Sequence, residues 1–175
     1  ALNDLGYSYD VWDVHTLGTP SLAAANQYHN LVWLTGDDTM ATLTAADQSM
    51  LSAYLDGGRG ALFSGQNIAD DIHNDPGGFL ANTLKVNFVE SSSPIQFAMG
   101  IGLFDGLSFS LDGGDGASNQ TSPDVIAPAA GGAAAFNYTQ STVAGVGYQS
   151  AGYSGLFLGF GIEGIATESA RQELL

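Results

Sequence analysis

The chain has 175 residues, of which 18 are acidic and three are basic, so its net charge is -15 at neutral pH. Such a charge repels phosphate backbones and anionic lipid headgroups, and we expect neither nucleic-acid binding nor membrane insertion. The absence of cysteine excludes disulfides, a thiolate nucleophile and zinc–thiolate sites. A hydrophobic content of 45% over this length predicts one domain, residues 1–175.

The chain opens on what looks like the end of a helix. ALNDLG, residues 1–6, has the pattern of last helical turns with Gly6 as the C-cap, and YSYDVWDV, residues 7–14, alternates like a strand. In an α/β sheet, a strand and most of a helix would be expected before them. We therefore predict a fragment of a longer polypeptide that lacks its first β-strand, with another chain or another strand taking its place.

Two apolar strands with a helix between them follow. LVWLTG, residues 31–36, and ALFSG, residues 61–65, are short apolar runs that end in glycine, which is typical of buried parallel strands. Between them, residues 44–57 predict a helix that Thr44 caps and Gly57 ends. Weaker helical patterns occupy residues 21–30 and 77–86. Strands that alternate with helices predict βαβ units.

The second half of the chain changes character. From about residue 88 to 148 it is rich in Gly, Ser and Ala, with short β-prone pieces between turn signals, which predicts antiparallel decoration on an α/β core. YSGLFLGFGI, residues 153–162, adds a buried strand, and residues 166–175 predict a closing helix that Thr167 caps.

Nearly the whole chain resembles a domain of large secreted bacterial proteins that often stands beside peptidase modules. The resemblance rests on these segments together: ALNDLGYSYDVWDV, LVWLTGDD, LTAADQSMLSAYLDGGRGALFSGQNIADDI, DGLSFSLDGGDGASNQTSPDVIAP, GLFLGFGIEGI and RQELL. That domain is similar to the class I glutamine amidotransferase-like fold. The resemblance implies a flavodoxin-like, mostly parallel sheet with helices on both faces, and an extracellular parent protein whose signal peptide is not in this chain.

The same resemblance implies a degenerate catalytic site. Amidotransferase-like enzymes carry a GxCxG elbow after one strand, and a His and a Glu separated by one residue near the last strand. On this pattern Gln66 stands at the cysteine, Ser64 at the first glycine and Gly161 at the histidine, while Glu163 is retained. An amide is not a nucleophile and the base is absent, so the resemblance implies no amide hydrolysis.

Ser64 has a second interpretation as the nucleophile of an unrecognised hydrolase. It would need a positioned histidine and an acid, for which His73 and the nearby aspartates are candidates, although LFSGQ lacks the first glycine of GxSxG. The alternative is that Ser64 and Gln66 only satisfy backbone groups around the turn.

The loop DGGDGASNQTSPD, residues 112–124, is a candidate calcium site. Its hard oxygen ligands would come from Asp112, Asp115, Asn119 and Asp124. The spacing matches neither the EF-hand nor the glycine-rich calcium nonapeptide, and short acidic loops are often simply solvated.

Three functions remain open from the sequence. The leading one is a non-catalytic accessory domain of a secreted bacterial protein that binds, or packs on a neighbouring module, at the carboxyl ends of its strands. The second is an extracellular structural subunit that assembles with copies of itself, which the low charge density and 24 glycines would suit. The third is the hydrolase centred on Ser64.

Overall fold

The computed structural model describes all residues, 1–175, and contains nine strands, six α-helices and two 3₁₀ helices, at Gly102–Phe104 and Ile162–Gly164. The strands are β1 (Asn30–Gly36), β2 (Gly60–Gly65), β3 (Val86–Glu90), β4 (Phe97–Gly100), β5 (Ser108–Ser110), β6 (Val125–Pro128), β7 (Ala133–Asn137), β8 (Val143–Gln149) and β9 (Ser154–Leu158). The helices are α1 (Val14–Leu17), α2 (Leu22–Ala25), α3 (Ala45–Asp56), α4 (Ile68–Ile72), α5 (Phe79–Asn82) and α6 (Glu168–Leu174). No helix is both long and apolar enough to span a membrane.

The strands form one mixed, curled sheet. Its main order is β1-β2-β9-β8-β7-β4-β5, with β3 and β6 beside this path. Only the β1–β2 and β2–β9 pairs are parallel, and every other pair is antiparallel. The predicted flavodoxin-like, mostly parallel sheet is therefore wrong. The pieces between residues 88 and 148, predicted as decoration, form the main body of the sheet, because short strands divided by turns pair as antiparallel neighbours.

Helices do not cover both faces as predicted. One core lies under α2 to α5 and includes Leu51, Phe63 and Phe157. The other, centred on Phe136 and Phe160, is formed by side chains from the curled strands β4 to β9, and α6 is the only α-helix that contributes to it. The curl of the sheet replaces a second layer of helices.

The helices α3 and α6 lie where the sequence predicts them, because N-cap residues mark where each one begins. In α3 the Thr44 hydroxyl accepts from the Asp47 N–H and the Asp47 carboxylate accepts from the Thr44 N–H, a reciprocal capping box. Thr167 caps α6 in a similar way through the Ala170 N–H. The predicted strand at residues 7–14 is wrong, because that segment pairs with no other strand.

Candidate functional site

Ser64 lies at the carboxyl end of β2, where it joins β2 to the segment after β9. Its side chain is fully buried. The hydroxyl donates to the Phe160 carbonyl at 2.9 Å and accepts from the Ile162 N–H at 2.7 Å. Both hydrogen bonds go to backbone groups, so the hydroxyl holds two chain segments together.

His73 makes no hydrogen bond with Ser64. Its imidazole is exposed, stacks on the Phe88 ring with a centroid separation of 4.5 Å, and contacts the Asp70 carbonyl and the Asn74 side chain. The structure therefore does not assemble a serine–histidine pair from these two residues.

Gln66 follows β2 and is also fully buried. Its Oε1 accepts from the N–H groups of Thr121 at 2.7 Å and Ser122 at 2.8 Å, and its Nε2 donates to the Asn119 carbonyl at 2.9 Å. A buried amide that satisfies three backbone groups fixes the segment that carries them. Gln66 thus binds the loop of residues 112–124 to the end of β2.

Gly161 and Glu163 meet the same loop after β9. Glu163 Oε1 accepts from the side-chain amides of Asn119 at 3.3 Å and Gln120 at 3.2 Å, and Gln120 Oε1 accepts from the Gly161 N–H at 2.6 Å. A Cβ on Gly161 would lie 2.0 Å from Glu163 Oε1, so the carboxylate fills the space that a side chain at this position would need.

The four predicted calcium ligands do not converge. Asp112 is exposed, Asp115 pairs with Arg171 at 3.2 Å, Asn119 contacts Glu163, and Asp124 is buried. No three His, Cys, Asp or Glu side chains lie together in a way that could hold a metal ion.

Asp124 instead caps a helix from a distance. Its Oδ2 accepts from the N–H groups of Ala69 at 2.8 Å and Asp70 at 3.2 Å in the first turn of α4, where Asn67 offers no side-chain cap. Its Oδ1 is buried without a partner, and burial raises the pKa of the carboxyl from 3.8 to about 8. Sequence reasoning placed Asp124 among loop ligands, and no local pattern indicates that it caps a helix 55 residues away.

Gly159 is where the end of the loop and the end of β9 approach most closely. A Cβ there would lie 2.4 Å from the Asp124 carbonyl oxygen and 3.3 Å from that of Ala144. The Gly159 N–H donates to the Ala144 carbonyl and the Gly159 carbonyl accepts from the Asp124 N–H, so these two backbone segments cannot move away from a new side chain without breaking hydrogen bonds.

We expect Gly159→Ala to lower the free energy of unfolding by about 2–3 kcal/mol, the cost of overpacking against fixed backbone. Gly152→Ala is the matched control, because its Cβ would come no closer than 3.5 Å to another atom. Urea unfolding of the two variants checks the expectation, and equal, small losses would contradict it.

A cleft of about 550 Å³ lies elsewhere, between the start of α3 and the segment from α4 to α5. Two carboxylates line it. Asp71 accepts from the N–H and hydroxyl of Thr42 at 2.9 and 2.8 Å, and Asp75 accepts from the Gln48 amide. The cleft thus contains two of the aspartates near His73, but Ser64, Gln66, Gly161 and Glu163 do not line it.

No family model and no curated protein matches the chain. Solved structures do match. The β-galactosidase from Bacillus circulans sp. alkalophilus is 11% identical, with a TM-score of 0.57 over 85% of this chain and 22% of its own. Gan42B, a GH42 β-galactosidase from G. stearothermophilus, gives a TM-score of 0.58 at 14% identity over 86% of this chain and 21% of its own.

The N-terminal domain of mmIFT52 also matches, with a TM-score of 0.55 at 14% identity over 89% of this chain and 77% of its own. At these identities the likeness shows a shared fold alone. This chain spans about a fifth of the length of the galactosidases.

These matches correct the resemblance drawn from the sequence. The similar structures are glycosidase chains and the mmIFT52 domain, and the sheet is mixed and curled. The predicted resemblance to the amidotransferase-like domain of secreted bacterial proteins is wrong, because its short segments reflect apolar runs and turns that more than one α/β arrangement can use.

Proposed function

We propose that this chain is a non-catalytic accessory domain of a larger protein. One observation carries the proposal: the loop of residues 112–124 packs on the carboxyl ends of the parallel pair β2 and β9, which is the end at which parallel strands of α/β sheets usually hold reactive groups. The side chains of Ser64 and Gln66 form hydrogen bonds with backbone groups there. The surface of the closed loop is then available for binding or for packing on a neighbouring module.

The fold neighbours show only that this fold occurs within longer chains, and they identify no ligand. The galactosidase chains are about five times as long as the part that matches, so the same fold occurs within larger enzymes. A carbohydrate-active parent is thus a candidate, in place of the peptidase parent that the overturned resemblance implied. A secreted, extracellular parent stays a prediction.

Self-assembly is a second candidate, because β1 is a long strand at the edge of the sheet and has one open side. Light scattering over a range of concentrations separates the two candidates. A monomer at all concentrations argues for the accessory domain, and a defined oligomer argues for the structural subunit.

We expect no hydrolase activity and no labelling of Ser64 by a fluorophosphonate probe, because its hydroxyl is buried and no histidine hydrogen-bonds to it. The assay uses the native chain with p-nitrophenyl glycosides, p-nitrophenyl esters and anilide substrates. Labelling or turnover that Ser64→Ala abolishes and the surface control Ser141→Ala retains would overturn the proposal. Circular dichroism establishes that both variants are folded.

A further inference from the structure

The outer edge of β1 carries a row of unused backbone groups. β1 pairs only with β2, and the Gly60 N–H donates to the His29 carbonyl at 3.2 Å. In a parallel ladder with this register, the N–H and C=O groups of the odd-numbered residues of β1 point toward β2. Val32 and Leu34 therefore direct their N–H and C=O groups away from the sheet, and these groups have no partner in the chain.

β1 itself has none of the residue types that usually prevent strand addition. β1 is seven residues long and contains no charge, proline or glycine before Gly36. The side chains of Val32 and Leu34 are 42% and 55% exposed on one face. At the other end of the sheet β5 has only three residues. Natural proteins commonly blunt long apolar edges with charge, proline or a cover, so β1 has the character of an interface.

A second row of unpaired backbone groups lies in residues 8–12. Their N–H and C=O groups make no hydrogen bond. The segment is attached near both ends of β1 by side chains alone: Tyr28 donates to Asp10, and His15 pairs with Asp38 at 3.1 Å. Val11 is 83% exposed and Trp12 is 47% exposed. The segment thus passes from one end of β1 to the other without pairing with it.

We propose that the edge of β1 binds an extended, apolar polypeptide strand from outside residues 1–175, by β-strand addition. Among polypeptide partners, an extended strand is the one that pairs with regularly spaced backbone donors and acceptors along their whole length, which identifies the kind of partner. Acidic side chains lie near the ends of the edge and favour a partner strand that is flanked by basic residues. These acidic residues are Asp10, Asp13, Asp37 and Asp38. The surface uses neither Ser64 nor Gln66, so the proposal stands whether or not the domain is catalytic.

The probe is a synthetic peptide of alternating Val and Thr with two Lys residues at each end. Trp33 lies within β1, and Trp12 lies in the segment of residues 8–12, so intrinsic fluorescence should change saturably with added peptide. Hydrogen exchange at the Val32 and Leu34 amides should slow at least tenfold in the complex. The same peptide with a central Pro should bind at least tenfold more weakly, because Pro removes a donor and interrupts the strand.

Two variants make the test specific to the edge. Val32→Lys with Leu34→Lys should abolish binding, whereas Val89→Lys, at a strand position that is 56% exposed, should retain it. No fluorescence change and no protection with the folded wild-type chain would overturn the proposal. So would a peptide-independent dimer in light scattering that the double variant dissociates, because the occupant would then be a second copy.

Discussion

Gln66→Ala should lower the free energy of unfolding by about 3–5 kcal/mol, an unusually large loss for a polar residue. The substitution leaves two N–H donors, of Thr121 and Ser122, and the Asn119 carbonyl without their buried partner. Each unsatisfied buried group costs about 1–3 kcal/mol, and water entry reduces the total. Urea unfolding measures the loss.

The same variant should also release the loop over the end of β2. The amides of Thr121 and Ser122 should exchange faster with solvent than in the wild-type chain, because Gln66 Oε1 is their acceptor. Gln27→Ala is the control, since Gln27 is exposed and its side chain makes no hydrogen bond. A loss below about 1 kcal/mol for Gln66→Ala would contradict the view that this amide holds the loop closed.

The elements that sequence reasoning located are those with complete local signals. Thr44 and Asp47 form the capping box of α3 from residues three apart, and the apolar runs of β1 and β2 end where glycine predicts. Local signals do not specify which strands pair. β9 lies beside β2, with Phe63 opposite Phe157, although these residues are 94 positions apart. An apolar alternation describes a parallel or an antiparallel neighbour equally well, and the antiparallel body of the sheet could not be distinguished from decoration.

The candidate site was predictable in part for the same reason. Ser64 lies at the carboxyl end of β2 and Gly161 lies just after β9, and since these strands pair in parallel, the two residues meet at one end of the sheet. The partners of Gln66 and Glu163 could not be foreseen. They lie in the loop of residues 112–124, where turn-forming residues indicate a loop without indicating the surface on which it packs.

Asp124→Asn should stabilise the chain at alkaline pH and leave it nearly unchanged in acid. The folded-state pKa of about 8 lies above the ordinary value of 3.8, because burial disfavours the charged form. The folded state then binds more protons than the unfolded state between these two values, and stability is lost as the pH rises from about 4 to 8. At about 1.4 kcal/mol for each pKa unit, the loss that Asn removes is about 6 kcal/mol.

Urea unfolding from pH 4 to pH 9 measures the difference in unfolding free energy between Asp124→Asn and the wild-type chain. Taking this difference separates the titration of Asp124 from the titration of the other charged groups. Asn retains an acceptor for the Ala69 and Asp70 N–H groups, so α4 keeps its cap in the variant. Asp112→Asn removes one carboxylate from the exposed part of the same loop and reports the effect of net charge alone. The advantage of Asp124→Asn should grow through the window from pH 4 to 8 and then level off. An advantage equal to that of Asp112→Asn at every pH would mean that Asp124 is solvated, and that α4 does not need a buried carboxyl at its first turn.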